Sequence, residues 1–205
     1  MCISPISYLS TGLRTLGPKL SVPTANDAAN LLLQRILATN KVEVLNLLAG
    51  GLGAIERRVD TSAVFDASEF LLARMRSETD SRSLVYLGHG LGALGLKVSI
   101  TARDQAAKLL VAQMHAETAP GLLLGLASSL GAVGQKVDTS TTKEAAGLLV
   151  ARIRVEANPD HLRWLGRGLA MLKAKLDPAS LTSIPALFTI PDAPCAAVLG
   201  VRAKP

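Results

Sequence analysis

The sequence predicts an all-α protein, a right-handed α-solenoid of stacked two-helix units with about four full hairpins and a degenerate C-terminal cap. Three observations predict it. First, the 205 residues are 49% hydrophobic but only 3% aromatic, so Leu and Ala must build the interior. Those residues favour helices, whereas strands draw on β-branched and aromatic side chains. Second, Gly12-Leu13 recurs as Gly51-Leu52, Gly90-Leu91, Ser129-Leu130 and Gly168-Leu169, each displaced by 39 residues. Fixed-period self-similarity of this length is the signature of a repeat architecture. Third, the apolar residues within one copy are spaced by three or four, the period of a helix face.

Ile6, Leu9, Leu13, Leu16 and Leu20 form one stripe of a first helix, helix A. Two of its columns keep register through the chain: Leu9, Leu48, Leu87, Leu126 and Leu165, and Leu16, Ile55, Leu94, Val133 and Leu172. A polar residue follows helix A in every copy, at Ser21, Asp60, Ser99, Asp138 and Asp177. These side chains accept backbone N–H bonds at a helix start, so helix B begins there. Pro178 after Asp177 marks the same boundary, because proline at the first helical position loses no hydrogen bond. Helix B carries Ala28, Ala67, Ala106 and Ala145, then Leu32, Leu71, Leu110 and Leu149, then Ile36, Met75, Met114 and Ile153. Small residues followed by larger ones imply backbones that approach closely at one end and pack through side chains at the other. The recurrent glycine of helix A implies close packing too, since it costs about 1 kcal/mol relative to alanine in a helix.

One helical-repeat domain therefore spans 1–205, with copies near 4–40, 41–79, 80–118 and 119–158, a partial copy at 159–190 and an irregular tail at 191–205. Pro185, Pro191 and Pro194 interrupt the fifth helix B, which reads as the terminal cap. The basic column Lys19, Arg58, Lys97, Lys136 and Lys175 falls in the last turn of helix A, where it complements the helix dipole. Arg35, Arg74, Gln113 and Arg152 precede Thr39, Glu78, Glu117 and Glu156 by four residues, a spacing that predicts solvated pairs on one helix face.

Several functions find no support. Cys2 and Cys195 lie near opposite ends without Cys-x-x-Cys spacing, which suits a reducing cytoplasm and argues against a disulfide framework or a thiolate metal site. Cys195 reads as a small apolar filler. No secretory leader is expected, and residues 5–20 read as a copy of helix A rather than a transit peptide. The charge-free run Thr118–Gln135 approaches membrane-span length, but the next copy carries Arg163, Arg167 and Lys173, so no membrane association is expected. Gly90-Leu91-Gly92-Ala93-Leu94-Gly95 matches a dinucleotide fingerprint, yet it sits inside helix A and its copies are broken by Arg14, Glu56, Ser129 and Ala170. We expect no cofactor. His89, His115 and His161 occupy different columns, and no metal-ligand or Ser/His/Asp set stands out, so neither a metal nor a catalytic site is expected.

Candidate binding residues come from two variable helix-A columns four residues apart. One holds Ser7, Asn46, Val85, Leu124 and Arg163; the other holds Thr11, Gly50, His89, Ser128 and Arg167. They share a helix face, so the unit keeps its core while varying one presented surface. Tyr8, Leu47, Tyr86, Gly125 and Trp164 make a third column containing every Tyr and Trp of the chain. It reads either as inter-repeat core, the reading favoured by Leu47, or as an aromatic groove formed by Tyr8, Tyr86 and Trp164.

Pro159-Asp160-His161-Leu162-Arg163-Trp164-Leu165 with Gly168-Leu169 carries a Pro-x-x-Leu-x-x-Leu helix followed by a small-Leu step. In this the chain resembles HEAT- and armadillo-like α-solenoids, particularly the Leu/Ala-rich helical repeats of multidomain bacterial proteins. The resemblance covers nearly the whole chain and implies architecture without implying catalytic residues. Gly125 and the glycine content of helix A depart from it. A non-catalytic scaffold that binds a protein or peptide in a repeat-built groove is the leading expectation. A charge of +6, from 22 basic and 16 acidic residues, makes nucleic acid the alternative partner. A helical-repeat enzyme, such as a lyase or glycosylase, is the third reading. Apolar solenoid ends also predict self-association.

Overall fold

A computed structural model describes residues 11–13, 15–134 and 138–173. Among them the regular structure is entirely helical. Eight α-helices follow one another: α1 (Val22–Ala38), α2 (Val42–Ile55), α3 (Thr61–Ser77), α4 (Ser81–Ala93), α5 (Ile100–Ala116), α6 (Pro120–Val133), α7 (Thr139–Val155) and α8 (Pro159–Lys173). The even-numbered helices carry the residues of helix A and the odd-numbered helices those of helix B. Residues 11–13 and 15–16 are also helical and lead into a 3₁₀ turn at Gly17–Lys19. Similar turns follow α2 at Glu56–Arg58 and α4 at Gly95–Lys97.

The helices form two layers. In one, α2, α4, α6 and α8 lie side by side in chain order; in the other, α1, α3, α5 and α7 do the same. Leucine stripes face each other across the layers. Leu45, Leu48, Leu52 and Ile55 of α2 are buried, as are Leu84, Leu87 and Leu91 of α4 with Leu94 at its C-cap, and Leu165, Leu169 and Leu172 of α8. The second layer contributes Ala67, Leu71 and Met75, Ala106, Leu110 and Met114, and Ala145, Leu149 and Ile153. Burying such side chains removes the apolar stripe of each helix from water, at about 25 cal/mol per Å². Leu16, expected in this core, is 56% exposed.

Small residues set the seams of the first layer. A Cβ on Gly90 would sit 3.3 Å from the Cα of Asn46 and 3.4 Å from the Cβ of Ala49. One on Gly168 would meet the Ala127 Cβ at 3.3 Å. Where the glycine column becomes Ser129, glycine appears on the other side of the seam: a Cβ on Gly88 would fall 2.9 Å from that of Ser129. Each seam therefore opposes one Cβ to none, in the pairs Ala49–Gly90, Gly88–Ser129 and Ala127–Gly168. Ser129 uses its buried position further, donating its hydroxyl to the carbonyl of Val85 at 2.9 Å. Gly12 differs, with nothing within 4 Å of its missing Cβ.

Helix starts follow local chemistry. Ser21, Ser99 and Asp138 accept N–H bonds from Thr24, Ala102 and Ser140, as expected of N-caps. Asp60 makes no such side-chain bond, and its own N–H donates to Asn26 Oδ1 at 3.0 Å. Pro120 and Pro159 open α6 and α8, where their missing N–H has no intrahelical acceptor to lose. The expected caps and fillers at Asp177, Pro185 and Cys195, together with Cys2, Lys136 and Lys175, lie outside the described residues.

Candidate binding surface

Because each A helix turns its leucines towards the second layer, the residues half a turn away form the outer face. On α2 these are Glu43, Leu47, Gly50 and Ala54; on α4, Arg82, Tyr86, His89 and Ala93; on α6, Gly121, Gly125, Ser128 and Ala132; on α8, Asp160, Trp164, Arg167 and Met171. All are exposed or half-buried. The described members of the aromatic column, Leu47, Tyr86, Gly125 and Trp164, therefore lie outside the core favoured from sequence. Tyr86 and Leu47 are half-buried, while Trp164 is 38% exposed and stacks on His161 with ring centroids 5.5 Å apart.

The two variable columns separate. His89 and Ser128 occupy the outer face, half-buried, and Thr11 and Arg167 are exposed. Burial alone holds the His89 imidazole below its ordinary value, which favours the neutral ring. Asn46, Val85 and Leu124 instead flank the seam with the following A helix: Val85 Cγ2 lies 2.9 Å from where a Gly125 Cβ would be, and the Leu124 Cα 3.5 Å from that of Gly168. They are half-buried because a neighbour covers one side. Arg163 holds the equivalent position on α8, is exposed and reaches Asp160 Oδ1 at 3.6 Å. Ser7 and Tyr8 lie outside the described residues. The outer-face members Arg82, Gly121, Asp160 and Met171 were missed from sequence, although counting half a helical turn from each leucine stripe locates them.

The turns joining odd to even helices carry polar networks rather than the expected helix-face pairs. Glu78, Glu117 and Glu156 each fold a carboxylate oxygen onto the next two main-chain N–H groups, at 2.8–3.1 Å. Two of the residues four before them, Gln113 and Arg152, reach backwards across the layer. Arg152 donates to the Thr118 carbonyl at 2.9 Å, and Gln113 donates to Thr79 O at 3.4 Å and Ser81 Oγ at 2.9 Å. Ser81 in turn donates to Glu117 Oε2 at 2.5 Å. That bond, with the Ala119 N–H, holds the Glu117 carboxyl below its ordinary value. A second carboxylate, Glu156, is lowered chiefly by the Asn158 N–H and meets His161 Nδ1 at 3.2 Å.

Arg103 is the polar residue that sequence reasoning passed over. It stands on α5 in the column of Ala25, Val64 and Thr142, and is only 6% exposed. Its guanidinium donates to Val98 O at 3.2 Å, Val133 O at 3.4 Å and Gly95 O. Two of these carbonyls end even-numbered helices or their turns, where helical partners run out. Burial lowers its pKa, opposed by the charge of Glu56. From the basic column, Lys97 does similar work, donating Nζ to the Val59 carbonyl at 2.5 Å. The signal in sequence was a lone charge in an otherwise small or apolar column.

The Gly-x-Gly-x-x-Gly segment has a steric account at each glycine. Gly90 faces α2; a Cβ on Gly92 would meet Ala132 of α6 at 2.7 Å; Gly95 has φ +74° in the turn beside Glu56. A cleft of about 540 Å³ opens at the end of α2, lined by Gly17, Val22, Gly53, Ala54, Ile55, Glu56 and Arg57. Among the described residues no group of three His, Cys, Asp or Glu side chains is placed to hold a metal ion, and no helix is long and apolar enough to cross a membrane. Comparison with protein-family models, curated proteins and solved structures gives no match.

Proposed function

We propose that the chain is a HEAT/armadillo-like α-solenoid serving as a non-catalytic, cytoplasmic scaffold that binds a protein or peptide on the outer face of its A helices. One observation carries this reading. Beneath a leucine core that barely changes from helix to helix, the outer face changes residue type at nearly every step, from Leu47 to Tyr86, Gly125 and Trp164, and from Gly50 to His89, Ser128 and Arg167. A stacked array must keep its inter-helix contacts and is free to vary the surface it presents. Partner capture with the wild-type chain and with Arg163→Glu/Arg167→Glu tests it. Loss of partner recovery in the variant is expected; equal recovery removes this face from consideration.

The charge of +6 supports a second reading, nucleic-acid binding. It predicts mobility shifts of duplex or single-stranded oligonucleotides that weaken steeply with salt, because phosphate contacts release counterions. Absence of a shift at low salt disposes of it.

A further inference from the structure

We infer that α1 is a dimerisation element, whose stripe Thr24, Asp27, Ala28, Leu31 and Arg35 takes the same stripe of a second copy of this chain, antiparallel, about a two-fold axis at Leu31. The later odd-numbered helices show what this stripe does inside the stack. On α3, α5 and α7 the counterparts of Thr24 are buried, at Ala63, Ala102 and Thr141, as are those of Ala28, at Ala67, Ala106 and Ala145. Phe70, Leu109 and Leu148, the counterparts of Leu31, are half-buried. Hydrogen bonds fix the direction in which the stripe faces. Gln113 and Arg152, in the column of Arg35, reach the preceding turn. Gln105 and Glu144, in the column of Asp27, meet the preceding odd-numbered helix: Arg76 of α3 donates to Gln105, and His115 of α5 lies 2.7 Å from Glu144. The stripe is thus an inter-helix contact surface wherever a preceding odd-numbered helix is present.

On α1 the same stripe is open. Among the described residues no odd-numbered helix precedes α1, Thr24 is exposed, and Leu31 is 64% exposed. Asp27 and Arg35 are exposed too, and neither makes a hydrogen bond or ion pair among the described residues. Symmetry names the occupant. Asp27 and Arg35 stand four residues to either side of Leu31, and Thr24 and Ala38 seven. An antiparallel copy centred on Leu31 therefore sets Leu31 against itself and opposes Asp27 to Arg35 of the second copy, twice over. A parallel copy would oppose like charges, so charge selects the antiparallel arrangement. One charge of each sign also gives the stripe no net attraction for a polyanion. The contact is isologous and closes at two chains. It lies in the odd-numbered layer and does not depend on the outer face of the even-numbered helices binding a partner.

Sedimentation of the full chain from about 1 to about 200 µM tests it, with a monomer–dimer equilibrium expected. Leu31→Lys is expected to weaken the dimer at least about tenfold, because it removes the apolar centre of the contact. Asp27→Arg and Arg35→Asp are each expected to weaken it about tenfold or more, since each sets like charges against one another. Two results then depend on the antiparallel pairing itself. The double variant Asp27→Arg/Arg35→Asp regains most of the lost affinity, and an equimolar mixture of the two single variants associates more tightly than either alone. All three positions are exposed, so the substitutions leave the core intact, and unchanged helicity by circular dichroism checks this. A monomer at every concentration, association that grows beyond two chains, a dimer indifferent to Leu31→Lys, or single variants that neither the double swap nor mixing rescues overturns the assignment.

Discussion

At the scale of single residues, Arg103 shows how a charge is kept inside an apolar layer. Its planar guanidinium presents several donors in fixed directions, and main-chain carbonyls that have run out of helical partners accept them. Replacing it with Met keeps much of the stem but strands those carbonyls in a buried place. Arg103→Met is therefore expected to destabilise the chain by about 2–4 kcal/mol in denaturant unfolding, with Arg103→Lys intermediate because an ammonium lacks the fork. A variant as stable as the wild type would show that the bonds contribute nothing net. The anomaly stands in the sequence, where Arg replaces the Ala, Val and Thr of the other copies, but the sequence analysis passed over it. It did not identify the acceptors. Val133 is 30 residues from Arg103 and meets it only once α5 and α6 are packed.

At the scale of elements, the seams between even-numbered helices depend on pairing a glycine with a residue that has a Cβ. Gly88→Ala places a Cβ 2.9 Å from that of Ser129. The change is expected to cost about 1–3 kcal/mol through overpacking. Adding Ser129→Gly removes the obstructing atom, although it also forfeits the bond to Val85. A double-mutant cycle should therefore return a favourable coupling of about 1 kcal/mol or more, and strict additivity would refute the paired-seam account. The turns behave differently, because charge rather than shape holds them. Glu117 has a folded-state pKa below its ordinary 4.5, owing first to the Ser81 hydroxyl. Its contribution is present above that ordinary value and is lost as pH falls through the folded one. Glu117→Gln should be less stable than the wild type near neutrality, and the difference should shrink as acid unfolding is followed downwards from pH 4.5. A constant gap across that range would point to packing instead. The Arg/Gln-to-Glu spacing was visible in sequence, but its use was not. The four-residue spacing equally permits a helix-face pair and a carboxylate folded over the next two amides, and only the path of the turn chooses the second.

At the scale of the whole molecule, among the described residues each even-numbered helix packs chiefly on the even-numbered helices beside it and each odd-numbered helix on the even-numbered helix that follows it, so the interior helices are held from both sides. Amide hydrogen exchange is expected to be slowest in α4, α5 and α6 and to quicken towards α1 and α8. Uniform protection from end to end would instead indicate one cooperative core. The helical class, the helix starts at Ser21, Ser99 and Asp138, and the buried leucine columns are all legible in the sequence. Each follows from local chemistry: Leu and Ala propensity, side-chain capping, and an apolar stripe that must leave water. Leu16 departs from that pattern, being 56% exposed where its counterparts Ile55, Leu94, Val133 and Leu172 are buried. By itself the sequence also determined that helix-A glycines call for close approach. Tertiary structure alone decided which helix approaches, that Asn46, Val85 and Leu124 line a seam, that Tyr86 and Trp164 stand on the outer face, and that Arg103 ties the end of α6 to the turn after α4. The physical reason is range. Propensity, capping and periodicity act within a few residues, whereas a seam, an outer face or a buried guanidinium is defined by atoms thirty or more residues away.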